Sequence, residues 1–407
     1  MEWIKSILAS QVGFSVVFAF LVINIMMLVV TYCIYFERKI SAWIQDRIGP
    51  NRVGPAGVIQ PFADGLKFFL KEDWVPPWAD KVLFVLAPIS LFFLALIGFA
   101  VVPWAGKLHW PWMPEGACVD TQVASIDIGL LYVLAVGGLH VYSIVLGGWA
   151  SGSKFPVYGG LRGTAQALSY EIPMGLGLFV IIVATGSLRL EEVLAQQARM
   201  WHIGGVPVWP AWQVFLHPLT FLLVVVAMFA ETNRLPFDFT EAEQELVGGY
   251  HTEYSALKFG AFYLAEYANM ITLSAIVTVL FLGGWHWPGV SGEWTSIWAV
   301  LLRFAIIWIK IILFLFLFMW VRWTLPRLRY DQLMHLAWLG LVPMGLALVA
   351  WTAVLALFGW QNSWLAPVGE IVIFVIVVAI AALRPAVVTG RQPDLPPIPT
   401  GAEGAGQ

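Results

Sequence analysis

The sequence predicts an all-α protein: a polytopic transmembrane helix bundle of about nine spans. Three observations carry this expectation. Of 407 residues, 60% are hydrophobic and only 12% charged, against about 25% charged in a soluble domain. Mean hydropathy is +0.80. Apolar runs long enough for a bilayer core recur along the chain, at about 20 residues each.

The runs fall at roughly 14–36, 82–102, 126–147, 165–187, 214–231, 257–282, 297–321, 333–358 and 367–383. The first is followed by Glu37, Arg38 and Lys39, not by a small-residue cleavage site. It therefore reads as a retained helix. Only the short stretch FGWQNSWLAP separates the last two. We take residues 1–384 as one membrane domain and the Pro/Gly-rich 385–407 as a disordered tail. No inverted repeat of the transporter kind is evident.

Loop charge orients the bundle. With the N-terminus outside, the inside segments carry sixteen Lys and Arg residues and the outside segments four, while Arg303 and Lys310 lie within a span. The expectation is N-terminus out and C-terminus cytoplasmic. Trp104, Trp110, Trp112, Trp285, Trp287 and Trp294 fall in the outside loops and suggest an interfacial belt.

Several classes are disfavoured. Cys33 and Cys118 are the only cysteines, too few for an iron–sulfur cluster. The seven histidines lack metal-ligand spacing, and His140 sits alone in an apolar span, where a packed core histidine is the commoner case. Neither a dinucleotide fingerprint nor a P-loop is present. A net charge of -3 does not suggest nucleic acid.

Two inside loops are unusual. In residues 37–81, Ile40, Trp43, Ile44 and Ile48 share one helical face, so a short amphipathic helix on the bilayer surface fits. A plain interfacial anchor fits equally well. Gly-Pro pairs then interrupt the chain from Gly49 to Pro55. Beyond Pro61 a second short helix would gather Asp64, Lys67 and Lys71 on one face, which suggests a folded loop walling a wet cavity. Residues 231–258 carry Glu231, Asp238, Glu241, Glu243, Glu245 and Glu253 against Arg234 and Lys258. A solvated acidic face is the simpler reading; the interleaved aromatic and apolar residues argue for function.

Charge at bilayer depth is expensive and marks a site by default. Glu266 lies two turns into the sixth run, with Tyr263, Tyr267 and Asn269 within a turn of it. Glu171 opens the fourth run, Glu37 closes the first and Glu231 the fifth. Lys310 lies mid-span with Arg303 two turns away. Any one of these could be a static acid–base pair; together they favour a proton or ion path, and Glu266 is expected near water or a cation such as Lys310.

Longer strings carry a resemblance. ERKISAWIQDRIGPNRVGPAGVIQPFADGLKFFLKE, GWASGSKFPVYGGLRGTAQALSYEIP, ETNRLPFDFTEAEQELVGGYHTEYSALKFGAFYLAEYANM and WVRWTLPRLRYDQLMHLAW are spread over about residues 14–350. They resemble the NuoH family of the NADH-quinone oxidoreductases (respiratory complex I), whose members join the two arms of that complex. The resemblance implies an enzyme subunit that is not an enzyme alone. Hydrophilic partner subunits carry NADH, flavin and iron–sulfur clusters; small membrane subunits and the lipid bilayer complete the surroundings. This chain would form the quinone portal and lower chamber and couple quinone reduction to proton transfer. The substrate would be a quinone, ubiquinone or menaquinone, with no metal or flavin in this chain, and the location the bacterial inner (plasma) membrane.

Carried onto this sequence, the family acids fall on Glu37, Asp64, Glu171, Asp238, Glu241, Glu243, Glu245, Glu253 and Glu266, and a family lysine on Lys310. Arg38, Trp43, Arg47, Arg52 and Phe237 are the expected quinone-path residues. Three departures stand out. SGSKF replaces the commoner SNSKY, Leu339 follows Trp338 where many relatives carry lysine, and a ninth span with a Pro-rich tail extends past the smallest members. The alternative is the homologous membrane subunit of a membrane-bound hydrogenase, in which no quinone is needed.

Overall fold

Uninterrupted apolar sequence gives uninterrupted helix here, because an α-helix satisfies every backbone donor internally where water is absent. The structure is a computed structural model that describes residues 10–113, 117–203, 206–240, 247–290, 292, 294–361 and 363–383, without the side chains of 200–203, 206–209 and 381–383. Seven described helices are long and apolar enough to cross a membrane, and two shorter apolar helices join them. The chain is a multi-pass membrane protein.

Helix α1 spans Gln11–Ile44 and is started by the Ser10 hydroxyl, which accepts from the Gly13 N–H. The amphipathic stretch after Glu37 is therefore, as far as Ile44, the continuation of this helix. Between Gly13 and Gly49 neither Gly nor Pro interrupts the chain, so nothing ends the helix at the bilayer edge. The separate amphipathic helix is α2, Gln60–Leu70, which leaves Phe62, Leu66, Phe69 and Leu70 exposed. The turn leading to it needs Gly57: its φ is +81°, and a Cβ there would stand 2.4 Å from the Pro50 carbonyl oxygen.

Helices α3 (Lys81–Ile97), α4 (Gly129–Ala150) and α5 (Lys154–Thr185) come next. Sequence reading started the fourth span near residue 165, but the helix begins at Lys154. Its glycines look like breakers and act instead as places of close approach. A Cβ on Gly159 would lie 2.6 Å from the Tyr250 nitrogen, and one on Gly163 2.5 Å from the Thr240 side chain. That closeness lays the second long loop directly on α5.

Short α6 (Leu190–Gln197) and the β3–β4 hairpin (Met200–Ile203 with Val206–Pro210) lie at one end of the bundle, as does the small β1–β2 pair (Lys107–Leu108 with Val119–Asp120). The fifth span is broken. A single turn, Gln213–Leu216, gives way at His217 to α7, Pro218–Glu231, of only 14 residues. Helix α8 (Ala256–Phe281) is the central one and packs against α1, α2, α3, α6, α7 and α9. Helices α9 (Ile297–Thr324), α10 (Tyr330–Leu357) and α11 (Leu365–Leu383) complete the bundle. A short π-helical stretch, Leu336–Leu341, interrupts α10.

The tryptophan belt is only partly as expected. Trp112, Trp287 and Trp294 are exposed, but Trp104 and Trp285 are buried. Trp104 stacks on Trp308 at 5.5 Å, and Trp285 lies under the Arg303 guanidinium at 4.7 Å. Sequence position cannot separate a ring at the interface from one roofing the bundle.

Candidate functional site

The acid-loop end of the bundle holds a buried ion cluster built from four elements. Glu37 of α1 is buried. Its carboxylate accepts hydrogen bonds from Tyr267 of α8 and Arg322 of α9, and Arg234 of the loop after α7 lies 3.5 Å away. The Arg234 guanidinium also covers the Tyr267 ring at 4.1 Å. Burial alone would lower the Arg234 pKa. Tyr267, Glu37 and Glu266 outweigh it and raise it, so the cation is fixed.

One residue before Tyr267, Glu266 accepts from the Tyr250 hydroxyl at 3.1 Å and feels Arg234. Beyond it lies a small cavity of about 20 Å³, lined by Leu91, His140, Glu231, Tyr250, Glu266 and Asn269 among others. Glu231 ends α7 and its Oε2 has no hydrogen-bond partner among the described residues. Glu171 of α5 reaches Gly138 of α4, where a Cβ would stand 2.8 Å from its Oε1; one on neighbouring Gly137 would stand 3.9 Å from Glu231. The bundle interior thus holds a row running Glu37, Arg234, Glu266, cavity, Glu231, Glu171.

The loop after α7 is held rigidly around this row. Gln166 of α5 donates to the carbonyls of Ala230 at 2.8 Å and Phe237 at 2.7 Å, and to Asn233 at 3.2 Å. Phe237 is buried against the Tyr170 ring, and Arg327 donates to the Asp238 carbonyl while covering Phe239.

The remaining expected residues are more scattered. Asp64 of α2 binds Arg38 at 2.7 Å and Gln60 at 3.0 Å, with Lys67 at 4.0 Å, which ties the first long loop to α1. Arg38 is thereby engaged. Trp43, Arg47 and Arg52 are exposed, and among the described residues no acid lies within ion-pair distance of either arginine. Glu253 is half-buried outside the row. Glu241, Glu243 and Glu245 lie outside the described residues.

Lys310 lies away from Glu266, toward the other end of α8. Its ammonium donates to the carbonyls of Leu282 at 2.7 Å, Gly284 at 2.7 Å and His286 at 2.9 Å, beneath the Trp212 ring. This is a cation seated on a helix C-terminus. Burial, with Lys310 and Arg303 adding, pushes the His286 imidazole down to about 4. The cation beside Glu266 is Arg234, which sequence reading had only counted as a loop charge.

Two further groups escaped the sequence. Arg322 looked like an ordinary basic residue at a helix exit. Glu370 of α11 was overlooked in an apolar run, yet it is fully buried and binds His217 at 2.9 Å, the Thr220 hydroxyl at 2.8 Å and the Leu219 N–H at 2.8 Å. It caps the broken start of α7.

A multi-pass helix bundle with a folded acidic loop and a row of buried ionisable groups defines the general class: a membrane protein built to hold charge at depth. The NADH dehydrogenase family model matches residues 17–353, and the chain belongs to that family. It is 46% identical over 341 residues to the NADH-quinone oxidoreductase H subunit of Leptospira biflexa, covering 83% of this chain and 92% of that one. It is 44% identical over 359 residues to the H subunit of the Thermomicrobium roseum enzyme, covering 88% and 99%. Subunit 8 of the Rhodothermus marinus enzyme is 44% identical over 339 residues, covering 81% and 93%.

Proposed function

We propose that this chain is the membrane subunit of a proton-translocating NADH:quinone oxidoreductase, forming the quinone portal and lower quinone chamber and passing the energy of quinone reduction into proton transfer along its buried acids. The observation that carries this reading is the row from Glu37 through Arg234 and Glu266 to Glu231 and Glu171. It connects the loop end of the bundle to its interior.

In this reading the acid-loop end faces the cytoplasm and the hydrophilic subunits that hold the redox centres. Arg38, Trp43, Arg47, Arg52 and Phe237 border the quinone path, and the exposed apolar face of α2 rests in lipid beside the portal. Suppose one unit of negative charge forms on quinone about 10 Å from an acid. At an effective dielectric of about 20, the coupling is roughly 1.7 kcal/mol, or about 1.2 pKa units. That shifts the occupancy of one acid without storing a full stroke, so several coupled acids must move together. Glu241, Glu243, Glu245, Asp238, Glu253 and Asp64 supply the loop part of the set. Glu37, Glu266, Glu231 and Glu171 supply the interior part, and Lys310 a further ionisable group at the opposite end.

The test is Glu266→Gln in the assembled complex. The amide keeps size and hydrogen bonding and removes titration. We expect NADH oxidation by an artificial acceptor to continue while quinone reduction falls by about 100-fold, the lower range for loss of a proton-transfer group. Glu266→Asp should recover part of it. Native quinone reduction by the Gln variant would refute the reading.

A further inference from the structure

We infer that His140 of α4 is a proton-relay residue, bridging Glu231 and Glu266 through the cavity they share. The inference rests on the proton-transfer reading above and names a member of the path that neither the resemblance nor the acidic pattern points to.

The imidazole is 7% exposed, and neither ring nitrogen has a hydrogen-bond partner among the described residues. A buried polar group without a partner is unfavourable, so water is the natural partner. The ring lines a cavity of about 20 Å³ together with Glu231, Tyr250, Glu266 and Asn269. That is room for about one water, and such a water needs two to four polar partners. Glu231 Oε2 is a second orphan at the same cavity. One water satisfies both.

Ionisable groups surround His140 from α5, α7, α8 and the loop that follows α7. Glu231 approaches from α7, Glu266 from α8 and Tyr250 from the loop, with Arg234 next to Glu266. Glu171 reaches α4 from α5 at Gly138, two residues before His140. Helix α3 contributes Leu91. An acid on either side and a cation beyond one of them give a proton a direction.

Neutral imidazole is the side chain suited to such a gap, since it accepts at one nitrogen and donates from the other near neutral pH. Protonated Glu231 gives its proton, through the water, to the unprotonated ring nitrogen. The other ring N–H then passes its proton to the Glu266 carboxylate. Glu231 ends ionised, Glu266 protonated and His140 neutral, so the proton count is conserved.

The experiment uses the whole complex in native membrane vesicles. His140→Gln and His140→Ser are compared with Glu266→Gln for NADH:quinone rate and NADH-driven acidification across a range of pH, with NADH oxidation by ferricyanide as the measure of assembly. A relay residue predicts that His140→Gln assembles, loses about tenfold or more of the quinone-linked rate at neutral pH, and lacks one titrating limb of the native pH profile. Packing alone would not remove that limb. Native rates and profile in both His140 variants, with Glu266→Gln inactive, would overturn the relay and leave the wider reading standing. Native behaviour of Glu266→Gln would instead remove the wider reading. Failure of both His140 variants to assemble would overturn the relay in favour of packing.

Discussion

The two ends of α8 hold buried cations in opposite ways. At the acid-loop end Arg234 faces Glu37, Glu266 and Tyr267, and Arg322 joins it on Glu37. Among the described residues Glu231 Oε2 has no hydrogen-bond partner, and a water-sized cavity adjoins. At the other end Lys310 spends its three donors on three carbonyls. The first arrangement can redistribute protons among several acids. In the second, no ion pair joins Lys310 to an acid among the described residues, and its three donors are spent on carbonyls. A buried charge marks function most strongly where its partners are titratable and incompletely satisfied.

The largest effect on assembly should come from Arg234→Leu. It leaves Glu37 and Glu266 without their shared cation, and breaking a buried pair costs about 3–5 kcal/mol. Native gels should show little assembled complex, with Arg234→Lys intermediate. Full assembly of the Leu variant would break the contrast between the two ends.

Lys310→Met comes next. It removes the shared donor of three carbonyls after the end of α8, at about 1–3 kcal/mol in all once water reaches them. Assembled yield should fall, while the pH profile of quinone reduction by the surviving complex keeps its native shape. A displaced profile would show that Lys310 titrates with the path and erase the distinction.

Smaller again is Glu370→Gln, which weakens the cap on α7 by about 1–2 kcal/mol. A lower melting temperature with native quinone reduction is expected; lost quinone reduction at unchanged stability would give α11 a direct part in the path. The smallest effect comes from His286. Its folded pKa of about 4 lies below the ordinary value of 6.5, so between those values the unfolded chain binds more protons. Its contribution is fully present above about pH 6.5 and is lost as pH falls toward 4. His286→Asn should flatten this part of the acid stability curve.

The number and order of the apolar helices were legible because hydrophobic runs of bilayer length have few other solutions. Their joints were not. Glycines at 159 and 163 looked like loop and serve close packing, which depends on where residues 240–250 come to rest. At His217 the following Pro218 marks the break in the sequence, but the cap that completes it arrives from Glu370, about 150 residues later. Within the site, Glu37, Glu171, Glu231 and Glu266 stood out because each is an acid against an apolar background. Arg234 and Arg322 did not, since loop arginines are common and only the fold turns these two inward. Lys310 and Glu266 share the bilayer interior in sequence terms, but they belong to opposite ends of α8.

We propose that protons pass through the acids bordering the cavity. Glu231→Gln probes this passage, because that residue ends α7 at the cavity and its Oε2 has no hydrogen-bond partner among the described residues. NADH-driven acidification of native membrane vesicles is the measurement, normalised to assembled complex. Proton passage through Glu231 predicts normal assembly with acidification reduced by about 100-fold. Native acidification by assembled Glu231→Gln complex would contradict it.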